Sequence, residues 1–314
     1  MKIISVVVPC HNEEKTIPLF FKETEKIKKD LHGYQLNYWF VNDGSTDKTL
    51  DVLRNLNSTD PERVHYLSFS RNFGKEAALY AGLREANGDY VAVMDVDLQD
   101  PPSLLPVMLS GIEDDGYDAV GARRINRQGE PRIRSFFSKL FYLFINRLSN
   151  TEFVPGARDY RLMTRQVVDA VIQISEYNRF SKGIFSWVGF NTKYLEYVNQ
   201  ERVAGTTNWS FWQLIHYSIE GIVNFSEKPL AIASYVGLSS FIVSVLAIIF
   251  IIIRKLFFGG SAYGWASMIS VILMIGGIQL LCLGILGKYI GNIYLETKKR
   301  PIYLIKEKDN QIDK

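Results

Sequence analysis

The sequence predicts an α/β domain with a doubly wound, mostly parallel sheet, followed by an interfacial helix and a two-helix transmembrane hairpin. Three observations carry that expectation. Short apolar runs rich in β-branched and aromatic residues alternate with helix-compatible segments through roughly the first 100 residues. Polar clusters follow those runs directly. Two long stretches near the carboxyl end are almost free of charge.

The strand candidates are Ser5 to Pro9, Tyr38 to Asn42, Val64 to Ser68 and Tyr90 to Met94. Between them, Thr16 to Leu31, Asp47 to Leu56 and Gly74 to Ala86 suit helices. Continuous rather than alternating hydrophobicity marks parallel strands covered on both faces. Ligands of such sheets sit at the carboxyl ends of the strands. The polar clusters lie there: His11-Asn12-Glu13-Glu14, Asp43-Gly44-Ser45, Arg71-Asn72-Phe73-Gly74-Lys75 and Asp95-Val96-Asp97.

From Arg123 to Arg134 the chain becomes a basic loop, with Arg123, Arg124, Arg127, Arg132 and Arg134 around Gly129-Glu130-Pro131. Ser135 to Leu148 then carries apolar residues at helical spacing and is expected to be an amphipathic helix. Trp209 to Phe225, rich in aromatic residues, is expected to lie in the membrane interface, with a plain core helix as the alternative.

Leu230 to Ile253 and Trp265 to Leu286 are long enough to cross a hydrocarbon core of roughly 30 Å. The predicted division is residues 1–208 for the α/β domain, 209–228 for the juxtamembrane helix, 229–291 for the two spans and 292–314 for a cytoplasmic basic tail. The amino terminus does not read as a signal peptide, because Ile3 to Pro9 is short and leads into polar residues. Lys288, Lys298, Lys299, Arg300, Lys306 and Lys308 outnumber Arg254 and Lys255 of the connection between the spans. This bias puts the domain and tail in the cytoplasm, at the plasma membrane. Cys10 and Cys282 are the only cysteines, one in the expected cytosolic domain and one in the second span, so no disulfide framework is implied.

Asp95, Asp97 and Asp100 crowd negative charge after an apolar strand. Residues two apart in a strand face the same side, so Asp95 and Asp97 present their oxygens together. Their repulsion is relieved by a divalent cation or by hydrogen bonds. Mg²⁺ and Mn²⁺ take such oxygen ligands, and Mg²⁺ commonly pairs one or two carboxylates with substrate phosphates. A solvated turn is the alternative. Asp100, fixed before Pro101 and Pro102, is expected to shape the loop or contact the substrate.

Val8-Pro9-Cys10-His11-Asn12-Glu13-Glu14, Val41-Asn42-Asp43-Gly44-Ser45-Thr46-Asp47, Ser70-Arg71-Asn72-Phe73-Gly74-Lys75-Glu76 and Asp95-Val96-Asp97-Leu98-Gln99-Asp100-Pro101-Pro102 closely resemble the inverting family 2 glycosyltransferases of Rossmann-like GT-A fold. Within that family the chain resembles bacterial polyprenyl-phosphate glycosyltransferases related to dolichol-phosphate mannose synthase, over nearly its whole length. The resemblance implies that Pro9, Glu13 and Asp43 line a nucleoside pocket and that Lys75 and Asp95 lie near the nucleotide sugar. It also implies that Asp95 and Asp97, with Gln99 as a third candidate, hold Mg²⁺ or Mn²⁺.

The same resemblance assigns Arg123, Arg134 and Ser138 to the acceptor phosphate, for which the forked guanidinium is suited. Contact with anionic lipid headgroups is the alternative for this loop. Gly156-Ala157-Arg158-Asp159-Tyr160-Arg161-Leu162-Met163 resembles the segment that supplies the catalytic Asp, here Asp159, as base or acceptor-orienting residue. A structural ion pair of Asp159 with Arg158 or Arg161 is the competing reading. Arg202 matches a residue that reaches the diphosphate, whereas Asn208 stands where the family commonly has Lys.

The implied activity is metal-dependent, inverting transfer of one sugar from a UDP-sugar, such as UDP-glucose or UDP-N-acetylglucosamine, to undecaprenyl or another polyprenyl phosphate. The lipid-linked product would serve glycosylation of the cell envelope. The expected partners are the nucleotide sugar, the lipid, the membrane and further copies of the chain, a tetramer among the options. No nucleic-acid partner is expected. A processive polysaccharide synthase of the same fold and a non-catalytic nucleotide-sugar sensor are the rivals. The first predicts more spans and a Gln-x-x-Arg-Trp motif that Gln200 to Val203 does not fit.

Overall fold

The computed structural model describes residues 1–125, 146–147, 151, 153–198, 221–258 and 264–309. Its centre is an eight-stranded sheet made of β1 (Lys2–Cys10), β2 (Tyr34–Asn42), β3 (Val64–Phe69), β4 (Tyr90–Val93), β5 (Ala119–Arg124), β6 (Ala157–Thr164), β7 (Thr192–Tyr197) and β8 (Ile305–Lys308). The order across the sheet is β7-β5-β6-β4-β1-β2-β3-β8. β1 pairs in parallel with β2 and β4, β2 with β3, and β5 with β7, whereas β6 and β8 run against their neighbours. The sheet is therefore mixed but mostly parallel.

The described helices include α1 (Thr16–Lys26, continued by a 3₁₀ turn over Ile27–Asp30), α2 (Thr49–Thr59), α3 (Lys75–Glu85), α4 (Leu104–Glu113), α5 (Arg165–Gln173), α6 (Ser181–Trp187), α7 (Lys228–Phe258) and α8 (Trp265–Thr297). Side chains alternate across β1, which divides the core in two. Ile4, Val6 and Val8 pack with Ile17, Phe20, Leu53, Leu105 and Met108 of α1, α2 and α4. Val7 packs on the other face with Leu79, Leu83, Val167, Val168 and Ile184 of α3, α5 and α6. Burying each such aliphatic side chain contributes about 1.5–3 kcal/mol.

All four expected strands and three expected helices of the amino-terminal half are present, with shifted ends. β1 and β2 begin at Lys2 and Tyr34, earlier than their apolar runs, because the two strands pair from Lys2↔Tyr34 onward. Ladder hydrogen bonds carry polar residues that hydrophobicity alone leaves out. The long first helix tightens to 3₁₀ after Lys26.

Two apolar helices follow. Lys228–Arg254 and Met268–Thr297 are long enough to cross a bilayer, and among the described residues none in their most apolar stretches is buried within the chain. Phe241, Leu246, Phe250, Leu273 and Leu280 are all exposed. A continuous apolar surface of this size needs hydrocarbon around it, so the protein is a membrane protein.

After α8 the chain returns to the α/β domain, and β8 adds to the β3 edge with Leu67↔Lys308 and Ser68↔Glu307 in register. Glu307 takes two hydrogen bonds from Arg54, at 2.8 and 2.6 Å, and one from Tyr66 at 2.8 Å. Tyr303 stacks on Phe69 with centroids 5.0 Å apart. Residues before and after the hairpin therefore share one sheet and one side of the membrane. The excess of Lys and Arg on that side makes it the cytoplasmic one. The expected juxtamembrane helix over Trp209 to Phe225 lies mostly outside the described residues; 221–225 are helical.

Candidate active site at the carboxyl edge of the sheet

Beyond β4 the period-two pattern of the strand persists into the loop. Met94, Val96, Leu98 and Asp100 are buried, while Asp95, Asp97 and Gln99 between them stay partly exposed. The three oxygen-bearing side chains thus emerge on the open side. Asp97 Oδ1 accepts the Gln99 N–H at 3.1 Å, an Asx turn. Leu98, at φ 57°, takes the left-handed conformation within it.

Lys75 opens α3, and its ammonium joins two strand ends. Its Nζ lies 2.7 Å from Asp95 Oδ1 and 2.6 Å from Asp159 Oδ2. Burial works against charge on both partners, but their mutual attraction prevails. Asp159 and Asp95 raise the Lys75 pKa, and Lys75, with help from Lys182 and Arg161, holds the Asp159 carboxyl well below the usual range. Asp159 is thus ionised across the neutral range.

The loop that delivers Lys75 is fixed by the end of β2. Buried Asp43 accepts the N–H of Phe73 at 2.6 Å and of Gly74 at 2.9 Å, one on each carboxylate oxygen. Gly44 makes that approach possible. It has φ +59°, and a Cβ there would lie 2.2 Å from the Arg71 carbonyl carbon. Its place in the sequence is therefore dictated by both backbone conformation and space.

Asp159 sits near the start of β6, which runs against β4 and so brings its amino-terminal end to the same edge. The buried Arg161 guanidinium lies 3.7 Å from the Phe185 ring centroid and donates to the carbonyls of Asp159 and Arg158 at 3.3 and 3.1 Å. Arg158 pairs instead with Asp100, its Nε 3.1 Å from Oδ1. Tyr197 also donates to Asp100. Asp100 is 3 % exposed and shapes the loop. Neither arginine is the side-chain partner of Asp159 anticipated by the ion-pair alternative; Lys75 is.

Pro9 lies near the end of β1, beyond the part that β4 covers. Val7 gives its carbonyl to Met94 at 3.0 Å, so residue 9, two further on, turns its missing N–H to the side where β4 has ended. The Glu13 carbonyl accepts the first amides of α1, from Thr16 and Ile17, at 3.1 Å each. Arg123 of β5 donates to the Pro155 carbonyl at 3.1 Å and is in register with Ala157. The structure therefore brings Lys75, Asp95 and Asp159 into direct contact and places Pro9, Asp43, Asp97, Gln99 and Arg123 at the same sheet edge. Arg134, Ser138 and Arg202 lie outside the described residues.

Two participants were missed in the sequence. Lys182 adds positive charge beside Asp159. Glu76, next to Lys75, accepts the Ser181 N–H at 2.9 Å and the Ser181 hydroxyl. Lys182 and Ser181, after α5, follow no strand, so the strand-end rule does not reach them, and without Ser181 the adjoining Glu76 has no visible partner.

The residues present fit a hard divalent cation. Asp95, Asp97 and Gln99 offer only oxygen on one open side, and a counter-charge is already needed there, which Lys75 supplies for Asp95. Among the described residues no group of three or more His, Cys, Asp or Glu side chains surrounds one point. That donor set suits a cation whose coordination is completed by substrate phosphates and water. Gln99 Oε1 also faces Arg158, at 3.4 Å from a terminal guanidinium nitrogen.

Residues 5–172 match the protein family described as Glycosyl transferase family 2. The chain is 46% identical over 305 residues to the putative glycosyltransferase CsbB of Bacillus subtilis, covering 97% of this chain and 92% of the relative. It is 43% identical over 305 residues to the bactoprenol glucosyl transferase of Shigella phage SfX, covering 97% and 99%. A prophage bactoprenol glucosyl transferase homolog of Escherichia coli is 43% identical over 303 residues, covering 96% and 98%.

Proposed function

The chain belongs to glycosyl transferase family 2, and on that premise we propose that it moves one sugar from a UDP-sugar to a polyprenyl phosphate in the membrane, with inversion at the anomeric carbon. The observation that carries this reading is the contact of Lys75 with both Asp95 and Asp159, at the carboxyl edge of a sheet mounted on two membrane spans. The names of the phage and prophage relatives make UDP-glucose the first donor to test and undecaprenyl phosphate, a bactoprenol phosphate, the first acceptor.

In this reading Pro9, Glu13 and Asp43 line the nucleoside pocket, and Arg202 reaches the diphosphate. Arg123, Arg134 and Ser138 hold the acceptor phosphate. Asp95 and Asp97, with Gln99, hold Mg²⁺ or Mn²⁺, which supplies neutralising charge for the departing diphosphate. A phosphomonoester has a second pKa near about 6, so the acceptor arrives mostly ionised and needs no strong base. Asp159 then acts by position. It fixes the Lys75 ammonium between the donor end of the site and the incoming phosphate, and Lys75 and Lys182 offset its own negative charge.

The reading includes self-association through α8. Gly287 and Gly291 lie four residues apart with open space at both Cβ positions, the spacing that lets a second helix approach closely.

The test is purified protein with a panel of radiolabelled UDP-sugars and undecaprenyl phosphate, with Mn²⁺ or with EDTA. Label from one donor should enter the chloroform phase with metal and not with EDTA. No labelled lipid from any donor, or turnover unchanged in Asp97→Ala, defeats the proposal.

A further inference from the structure

Three asparagine residues close a ring of hydrogen bonds at the foot of the membrane hairpin. Asn178 Nδ2 donates to Asn292 Oδ1 at 3.1 Å, and Asn292 Nδ2 donates to Asn224 Oδ1 at 3.1 Å. Asn224 Nδ2 completes the circuit by donating to the Asn178 carbonyl at 2.8 Å. The members come from three separate segments: the connector between α5 and α6, the helical residues 221–225 before α7, and α8. Two further bonds flank the ring. Tyr177 N–H donates to Glu296 at 2.6 Å, and Tyr289 OH donates to the Ser226 carbonyl at 2.6 Å.

The connector is fastened on its other side to the active site. Ser181 donates to Glu76, the neighbour of Lys75, and the Arg179 guanidinium lies 4.2 Å from the ring centroid of Tyr80 on α3. Only three positions separate Asn178 from Ser181. Phe180, Phe153 and Phe225 pack together behind the ring with centroids 5.8–6.0 Å apart. Gly183 admits Phe225, since a Cβ there would fall 2.4 Å from that ring.

Apolar contact alone lets two bodies slide, whereas directional hydrogen bonds fix their rotation and register. The exposed apolar faces of α7 and α8 set the hairpin against the bilayer, and the phosphate of a membrane-held acceptor lies in a plane set by the same bilayer. The seat of the α/β domain on the hairpin therefore sets the height of Lys75 and Asp159 over that phosphate. We propose that Asn178, Asn224 and Asn292 are positioning residues whose ring sets this height and tilt, and so confer efficient use of membrane-held over water-soluble prenyl phosphates. The inference rests on the proposed transfer to polyprenyl phosphate.

The test compares wild type, Asn292→Leu, Asn178→Ala and the double variant, each as full-length protein in nanodiscs with the donor found above. The acceptors are undecaprenyl phosphate in the bilayer and a water-soluble ten-carbon prenyl phosphate. UDP binding on the same preparations verifies that the domain is folded, and Asn178→Ala, on the connector, provides a second route if the α8 variant fails to fold. Either single variant should lower kcat/KM for undecaprenyl phosphate about tenfold or more, since a misplacement of about 1 Å can cost 10²-fold. Turnover of the short acceptor and the KM for donor should stay within about twofold of wild type. The double variant should lose no more than the larger single one, because both break one ring. Equal losses with both acceptors, no loss with the bilayer acceptor, or additive losses overturn the inference. A wild-type protein that labels neither acceptor overturns the underlying reading, and the inference with it.

Discussion

Lys75 and Asp159 form a 2.6 Å ion pair in which the same ammonium also reaches Asp95 at 2.7 Å. One cation thus serves a carboxylate from each of two strand ends. Lys75→Met should cut sugar transfer by about 100-fold or more, the scale for losing a charge aimed at the reacting groups. Lys75→Arg should rescue little, because a planar fork cannot replace a compact ammonium between two oxygens. The measurement is the rate of chloroform-soluble label at saturating donor; retention of more than a tenth of wild-type turnover in Lys75→Met would contradict it.

Gly44 governs the loop that carries Lys75. In Gly44→Ala the new methyl meets the backbone at Arg71 and Asn72, and the residue is held at φ +59°. The loop must then move, and the two amide bonds to Asp43 are lost with it. The expected result is UDP affinity weakened at least about tenfold by calorimetry, with a stability loss of about 2 kcal/mol or more. A variant that binds UDP like wild type would show that the loop does not shape the donor pocket.

Asp100 is expected to be structural. Asp100→Ala leaves the Arg158 guanidinium without its carboxylate partner and the Tyr197 hydroxyl without its acceptor. Breaking a buried pair costs about 3–5 kcal/mol, and Arg158 keeps 27% side-chain exposure, so roughly 2–4 kcal/mol is expected. Thermal unfolding in detergent should show a fall of several degrees. Asp100→Ala with Arg158→Met should recover part of it.

The amino-terminal strand is tied by a pH-dependent contact. Glu113 accepts from Lys2, Tyr90 and Tyr34, which hold its carboxyl down at about 2. Folding favours the ionised form, so this support is present above the unfolded-state value near about 4.3 and is lost as pH falls toward 2. Glu113→Gln should therefore melt below wild type at pH 7, and the gap should close between about pH 4.5 and 2.

Much of this arrangement was legible from local signals. The apolar runs of β1 to β4 end where polar clusters begin, and the parallel-sheet rule then places Asp43, Lys75 and Asp95 at one edge. The spans announce themselves by length. What stayed hidden depends on contacts distant in sequence. Nothing around Ile305 to Lys308 alternates in the manner of a buried strand, since its pairing comes from an open edge more than two hundred residues earlier. Asn178, Asn224 and Asn292 are ordinary polar residues until the chain folds them into one ring. Asp159 was placed by its resemblance, but its partner was not, because Arg158 and Arg161 are the neighbours in sequence and Lys75 is the neighbour in space.

β8 carries a consequence for the order of biosynthesis. The strand that covers the β3 edge is translated after both membrane spans, whereas β1 to β4 are complete long before it. Until the hairpin has entered the bilayer and the chain has threaded back, β3 offers its unpaired backbone groups to any other extended chain. Closure of the sheet therefore comes after insertion. A product stalled before insertion would keep the β3 edge open and be prone to aggregate along it.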